Sequence, residues 1–383
     1  MRCPWWPLRA GRTGTDRRPA RTAFLCLTFA SLLGFVGALP AHAQLVAVAP
    51  PPFVPPAPPA PTPTPLMIDQ TVSSAATVAN LGSTFLERLG TTNGFSRMLR
   101  TNPAGGGASE AAEAPRYRTW FEGYGITANN GPLGLFVGDT RKTWGGVAGI
   151  GARVAPGFNV GFSVDQSRTS IDVPLALQSA MIDLTQLGLN ASVDSGPWTW
   201  ASAVVHGFGN IDSRRDTGLG FATAGYNARL DGVLSEISYY WSQDQNRIVP
   251  KAALEYVHAR TGSLQEFGGL DPVMATAATV DRMRVLLGAE VGHYWIFDQK
   301  ILDLSAYGKF VDNLVQNFSD ITVSLGSQSV TFQGIGESRY GVDAGASASL
   351  SLTNTARVYV NYDGKFRAAM QSHQGTMGLE LKW

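Results

Sequence analysis

Apolar and polar side chains alternate strictly at the end of this chain. Over the last eight positions, one face holds Met377, Leu379, Leu381 and Trp383, and the other holds Thr376, Gly378, Glu380 and Lys382. This period of two predicts a strand with one apolar side. In a closed membrane barrel, the last strand pairs with the first and its apolar face meets lipid. The alternative is a buried terminal strand of a soluble β-sandwich, which alternates in the same way.

The same alternation recurs from Tyr117 onward and predicts twelve strands. They span residues 117–128, 141–154, 158–168, 179–194, 197–210, 224–242, 247–260, 279–297, 300–313, 337–352, 355–364 and 373–383. Tight turns alternate with longer links, which are predicted at 129–140, 169–178, 211–223, 261–278, 314–336 and 365–372. Short turns at one end and long loops at the other are typical of outer-membrane barrels. The even count places both chain ends at the short-turn end, in the periplasm.

The second face of the predicted strands is polar or charged. Five charged residues on this face are predicted to line the lumen: Arg282, Arg284, Glu290, Lys309 and Arg357. Three roles stay open for them. They bind a helix inside the barrel, polarise a channel, or form hydrated salt bridges that hold the barrel in shape.

Aromatic residues gather near the predicted strand ends. They are Trp120, Phe121, Trp144, Trp198, Trp200, Tyr239, Tyr240, Trp241, Tyr294, Trp295 and Trp383. Indole and phenol rings prefer the interface between membrane and water, so these positions predict aromatic girdles around a barrel. Ordinary core aromatics are the alternative.

Residues 1–43 have the organisation of a secretory signal peptide. An arginine-rich start precedes the apolar stretch 22–39, and Pro40 precedes Ala41-His42-Ala43. Small residues at Ala41 and Ala43 predict a cleavage site, with export through the Sec translocon. An uncleaved membrane anchor is the alternative.

Two segments separate the signal peptide from the first strand. Residues 44–66 form a Pro-rich linker that favours polyproline II. Within 67–116, the pattern predicts a helix from Met67 to Leu89, followed by a flexible connection. Such a helix is about 34 Å long, enough to cross a membrane. It lies either in a polar barrel lumen or loosely on a surface.

Several short motifs resemble the translocator unit of the autotransporter family. They are residues 119–125 in the first strand, 145–151 in the second, 157–161 at the start of the third, and the last eight residues. The resemblance implies an outer-membrane barrel over 117–383, a helix in the pore and an N-terminal passenger carried to the cell surface. Only residues 44 to about 100 lie between the signal peptide and the barrel, so we expect a very short passenger.

The last eight residues also resemble the C-terminal signal of bacterial outer-membrane barrels. Gly378, Leu379, Leu381 and Trp383 stand at its specified positions. The resemblance implies that this strand is read by the barrel-assembly machinery.

Composition narrows the alternatives. The chain has 383 residues, of which only 15% are charged and 43 are glycine, unlike a typical soluble enzyme. Both cysteines, Cys3 and Cys26, precede residue 43, which excludes disulfides and a Cys-based zinc site from the mature chain. Beyond residue 43 there are 24 basic and 28 acidic residues, which gives no support for nucleic-acid binding.

No motif points to catalysis. His206, His258, His293 and His373 fall on separate predicted strands without metal-ligand spacing, and neither G-x-S-x-G nor a P-loop occurs. We therefore expect no enzymatic activity, no metal and no cofactor. Two other functions stay open. A small channel or porin would need an open lumen, and a rim hydrolase would need His206, Asp212 and Asp216 to converge.

The sequence as a whole predicts an all-β protein. It is a closed antiparallel transmembrane barrel of about twelve strands with an N-terminal helix in the lumen. We expect it in the outer membrane of a Gram-negative bacterium, as a monomer in contact with outer-membrane lipid and lipopolysaccharide. Its predicted role is to anchor, and to translocate or display, a short N-terminal segment.

Overall fold

The structure, a computed structural model, describes residues 62–90 and 116–383, apart from residues 299 and 335. The predicted signal peptide, with Ala41 and Ala43, and most of the linker 44–66 lie outside the described residues. So does the connection 91–115. Among the described helices, none is long and apolar enough to cross a membrane.

The described chain consists of one α-helix, two short 3-10 turns and seventeen strands. Helix α1 spans Asp69–Leu89, and the 3-10 turns span Pro65–Met67 and Pro174–Ala176. The strands are β1 (Tyr117–Asn130), β2 (Asp139–Ala155), β3 (Phe158–Val173), β4 (Gln178–Ser195), β5 (Trp198–Asp216), β6 (Phe221–Tyr239), β7 (Trp241–Gln243), β8 (Asn246–Thr261), β9 (Leu264–Gln265), β10 (Met274–Ala275), β11 (Thr279–Phe297), β12 (Lys300–Phe318), β13 (Asp320–Leu325), β14 (Gln328–Gln333), β15 (Tyr340–Ser351), β16 (Ala356–Arg367) and β17 (Met370–Lys382).

Antiparallel pairing closes the long strands into a barrel. The order is β11-β12-β15-β16-β17-β1-β2-β3-β4-β5-β6-β8, and β8 pairs with β11 to complete the ring. The short β7 continues β6 beyond Tyr240 along the same neighbour, β8. The predicted closed barrel of twelve wall strands is therefore confirmed.

The first and last strands meet at the closing seam. Strand β1 pairs with β17 from Arg118 opposite Lys382 to Asn130 opposite Met370. Beyond the ladder, Tyr117 N–H donates to the Trp383 carbonyl at 2.8 Å, and Trp383 N–H donates to the Tyr117 carbonyl at 3.1 Å. The last residue is thus part of the closed wall.

The links at the end opposite the two termini differ from the prediction. The links 174–177, 217–220 and 368–369 are far shorter than predicted, because β3, β5, β6, β16 and β17 continue through polar sequence. Backbone ladder bonds need no apolar side chains, so pairing extends past the region that meets lipid. The longer links 262–278 and 319–339 carry a separate small sheet, in the order β14-β13-β10-β9.

The alternation in the sequence matches the two faces of the wall. In β17, Leu379 and Leu381 point outward, whereas Glu380 is fully buried inside. Large apolar side chains such as Phe121, Ile150 and Leu189 likewise lie exposed on the outer face. An outward apolar face with a polar inner face is the arrangement that a bilayer requires of a barrel.

Most of the aromatics predicted to form a girdle are exposed on the wall, but Trp120 is not. Trp198, Trp200, Trp241 and Trp383 are exposed near the short-turn end, and Trp144 is exposed further along the wall. Trp120 instead points into the barrel, since its neighbour Phe121 points outward. Its ring occupies the space that the missing side chain of Gly149 leaves.

We expect deletion of Trp383 to lower the yield of barrel in the outer membrane. The deletion removes two backbone hydrogen bonds at the seam and a ring that lies 6.3 Å from that of Tyr117. Quantitative blotting of outer-membrane fractions measures the effect. The control is W241A, which removes a girdle ring away from the seam and should retain most of the yield. Equal yields for the deletion and the unchanged chain would contradict the role of the seam.

Candidate functional site

Helix α1 runs through the inside of the barrel rather than along an outer surface. It packs chiefly against β3, β4, β5, β6, β8 and β11, and most of its side chains are buried. Its polar residues are compatible with burial because some bond within the helix. Ser74 Oγ donates to the Gln70 carbonyl at 2.7 Å, and Thr77 Oγ1 donates to the Ser73 carbonyl at 2.6 Å.

Glycines in the wall leave the space in which the apolar side of α1 packs. A Cβ atom at Gly188 would lie 2.4 Å from Leu89 and 3.0 Å from Phe85, and one at Gly232 would lie 2.8 Å from Leu86. Only glycine leaves this space, so the helix lies close to the backbone of β4 and β6. Its position in the lumen is therefore off-centre.

Glu87 is the centre of a largely buried charge cluster. It accepts from Arg284 at 2.8 Å, from Lys309 at 2.9 Å and from Lys365 at 2.9 Å. These cations come from β11, β12 and β16, so one helical carboxylate links three strands of the wall. Burying a charge is costly unless partners compensate it, and here several partners do so.

Arg88 connects the same end of the helix to the closing seam. Its guanidinium donates to Glu122 of β1 at 2.6 Å and lies 4.0 Å from the centre of the Tyr124 ring. Glu122 also accepts from the Tyr359 hydroxyl of β16 at 2.7 Å. Together Glu87 and Arg88 bind α1 to strands β1, β11, β12 and β16.

A second cluster holds the middle of the helix. Arg282 donates to Asn80 Oδ1 at 2.6 Å, to the Ser83 hydroxyl and to Glu337 at 3.0 Å. Ser83 in turn donates to Glu255 at 2.6 Å, and Glu255 accepts from Arg284 at 2.7 Å. Side chains of β8 and β11 thus form hydrogen bonds with the polar face of the helix.

The direction of α1 follows from its contacts. At its start, Gln70 N–H donates to Gln178 Oε1 at 3.1 Å, and the Gln178 amide donates to the Leu66 carbonyl. Gln178 opens β4 beside the 3-10 turn 174–176, at the end opposite the termini. The far end of the helix meets Glu122, only five positions after the start of β1. The helix therefore begins at the end of the barrel that carries the long links, and ends toward the short turns.

The five predicted lumen residues all lie on the inner face. Arg282, Arg284 and Lys309 contact the helix as described. Glu290 accepts from Arg247 at 3.2 Å and from Lys251 at 3.1 Å, and Arg357 lies 3.4 Å from Glu380. Two of the roles left open for them thus occur side by side, helix binding and wall salt bridges.

Sequence reasoning missed Glu87, Arg88, Glu122 and Lys365. One signal was available for the helical pair. Apart from Asp69, Glu87 and Arg88 are the charged residues of α1, and they stand together at its end.

The terminal strand shows why glycine suits position 378. A Cβ atom there would lie 2.3 Å from the Tyr359 ring, which stacks inside the wall and reaches Glu122. Leu379, Leu381 and Trp383 are exposed on the outer face.

Space remains between α1 and the opposite wall. A cavity of about 50 Å³ is lined by Asn80, Thr84, Arg141, Lys365 and Arg367. A further cavity of about 20 Å³ lies beside Glu87 and Arg88. The lumen is thus occupied by the helix on one side and is open to water-sized molecules on the other.

The residues considered for a rim hydrolase do not come together. His206 is bonded to Asp231 at 2.8 Å on the outer face. Asp212 lies on the same strand six positions away, about 20 Å in an extended strand, so the two do not converge. Within the described chain, no three potential metal ligands lie together.

Comparisons with known proteins agree with this architecture. The family model for the autotransporter beta-domain matches residues 119–363. An extracellular serine protease of Serratia marcescens is 25% identical over 260 residues, which are 64% of this chain. The match covers 24% of that protein, so this chain spans about a quarter of the length of its curated relatives.

Two solved structures share the fold. The translocator domain of autotransporter NalP from Neisseria meningitidis has a TM-score of 0.65 at 14% identity and covers 82% of this chain and 99% of its own. The beta domain of the Bordetella autotransporter BrkA has a TM-score of 0.52 at 14% identity, covering 70% and 100%.

We expect E87Q to raise ion conductance through the barrel in planar bilayers. The substitution leaves Arg284, Lys309 and Lys365 without their shared carboxylate, and breaking a buried ion pair costs about 3–5 kcal/mol. The helix should then detach from the wall more often and open the lumen to ions.

The matched control is D183N, which breaks the exposed pair of Asp183 with Arg168. Exposed pairs contribute about 0–1 kcal/mol, so its conductance should equal that of the unchanged chain. A chain lacking 67–90 sets the upper limit. If E87Q conducts no more than the unchanged chain, the Glu87 cluster does not hold the helix.

Proposed function

Because this chain belongs to the autotransporter family, we propose that its translocator barrel carries the segment upstream of α1 to the cell surface and then keeps α1 as a plug. The barrel itself is an outer-membrane translocator of a Gram-negative bacterium. The proposal concerns what passes through it and what remains inside.

The direction of α1 carries this proposal. Strand β1 starts and β17 ends at the short-turn end, which in outer-membrane barrels faces the periplasm. Helix α1 starts at the other end and finishes toward the short turns. A chain with this course crosses the wall region once through the lumen before it forms the first strand. Residues before Asp69 would then stand outside the cell.

The charge clusters support a plug that is retained. Glu87 and Arg88 join the helix to four wall strands, and Arg282 holds its middle at Asn80 and Ser83. A helix bound at two levels would reduce the free cross-section of the lumen after export. This function differs from that of an open porin, although the cavities beside the helix would leave a narrow route for water.

The exported segment includes the Pro-rich residues 44–66. Its proline content favours an extended backbone, so this segment would act as a semi-rigid stalk. The Serratia marcescens relatives are named extracellular serine proteases, but this chain matches only about a quarter of their length. For this chain we propose export and display, with no enzymatic activity in the barrel.

Biogenesis completes the proposal. Residues 1–43 would direct export through the Sec translocon, with cleavage after Ala43. The outward row of Leu379, Leu381 and Trp383, with Gly378 beside it, would guide the barrel-assembly machinery. The barrel would stay monomeric, in contact with outer-membrane lipid and lipopolysaccharide through its apolar face.

An epitope inserted after Leu45 tests the proposal. We expect external protease to remove it from intact cells while the barrel stays in the outer membrane, because residues upstream of α1 would lie outside. The readout is blotting of the epitope and of the barrel after protease treatment and cell fractionation.

The matched control places the same epitope in the short turn at Ser195-Gly196, between β4 and β5, where it should be protected. Protection of the Leu45 epitope in a membrane-inserted barrel would contradict export and leave an anchor or a channel. Recovery of the protein only from the soluble periplasm would contradict the membrane placement.

A further inference from the structure

Two neighbouring rows of outward side chains cross strands β5, β6, β8 and β11. In the first row, the directly paired residues are His206, Asp231, His258 and Asp281. In the second row, two positions nearer the long links, they are Phe208, Arg229, Arg260 and Thr279. Histidine and aspartate therefore alternate in one row, and two arginines stand directly opposite each other in the next.

The carboxylates near the two arginines are already engaged. His206 Nδ1 lies 2.8 Å from Asp231 Oδ1, and His258 Nδ1 lies 2.7 Å from Asp281 Oδ1. Asp281 also accepts from the Tyr256 hydroxyl at 2.8 Å. In the described part of the chain, neither Arg229 nor Arg260 has an ion pair.

The facing arginines are therefore an unbalanced pair. Side chains directly opposite each other in an antiparallel ladder have Cβ atoms about 5 Å apart, and like charges there destabilise the sheet. Both side chains are exposed on the outer face. An anion between them would turn the repulsion into attraction for both guanidinium groups.

The position of the pair identifies the anion. The row on the short-turn side of the His–Asp row is largely apolar: Val204, Val233, Tyr256 and Met283. From Trp200 at the short-turn end to Phe208 is eight residues, about 20 Å along the barrel axis for a tilted strand. The apolar band of such barrels is about 25 Å tall. The arginines thus stand near the outer boundary of the lipid band, at the level of outer-leaflet head groups.

We propose that Arg229 and Arg260 together bind a phosphate of a phosphorylated outer-leaflet glycolipid, of the lipopolysaccharide type. Guanidinium groups bind phosphate oxygens in bidentate geometry, and two of them facing each other can share one phosphate. The apolar row and Phe208 contact the acyl chains, while His206 and His258 hold the two aspartates in the neighbouring row. The inference rests on the outer-membrane placement of the barrel and not on export of the N-terminal segment.

Lipopolysaccharide binding by the purified full-length chain in neutral detergent micelles tests this proposal. The double variant R229Q/R260Q should bind at least about tenfold more weakly than the unchanged chain, because two charge-assisted contacts are lost. R229K/R260K keeps the charge but not the bidentate geometry, so it should bind with intermediate strength. Heat-dependent electrophoretic mobility verifies that each variant is a folded barrel.

The matched control is R168Q, which removes an exposed outward arginine that already pairs with Asp183 at 2.7 Å. It should bind as the unchanged chain does. A dephosphorylated glycolipid should not distinguish the unchanged chain from R229Q/R260Q.

Three results would overturn the proposal. The first is undiminished lipopolysaccharide binding by R229Q/R260Q. The second is an equal loss in R168Q, which would mean that any outward charge suffices. The third is competition by millimolar inorganic phosphate alone, which would make this a site for the free ion rather than for a lipid. The Leu45 epitope experiment can fail without affecting these outcomes.

Discussion

The largely buried carboxylate of Glu87 is the contact on which the internal organisation of this barrel depends. A charge in the lumen needs compensation, and Glu87 obtains it from Arg284, Lys309 and Lys365 on three different strands. The three cations repel one another, and the attraction of each to the carboxylate offsets that repulsion. The charge of the helix and the charges of the wall therefore compensate each other. These contacts fix the depth of the helix in the lumen.

Much of the fold follows from the order of residue types along the chain. Period-two alternation predicts the twelve wall strands, and the row from Met377 to Trp383 predicts a closing strand whose apolar side faces outward. Both work because a bilayer selects apolar residues on one face only. Alternation does not predict where strands end outside the lipid, because polar residues such as Ser213 and Arg215 pair there through their backbone. The predicted links there were consequently too long.

The site was harder to predict than the fold. The inner-face positions of Arg282, Arg284 and Lys309 follow from alternation, but their partners do not. Glu87 and Lys309 are 222 positions apart in the chain, and closure of the ring is what brings them together. Trp120 shows the same limit, since its place in the lumen depends on the space beside Gly149 on the next strand.

The placement of charge along the N-terminal segment has a mechanical consequence. Between residues 44 and 86, Asp69 is the single charged residue, and Glu87 and Arg88 follow at once. A chain sliding outward through the lumen presents nearly neutral sequence to the charged wall, with little to arrest it. Such motion would stop when Glu87 and Arg88 reach their countercharges. In the proposed export, the pair would set how much chain leaves the cell, and moving it along the helix would change that length.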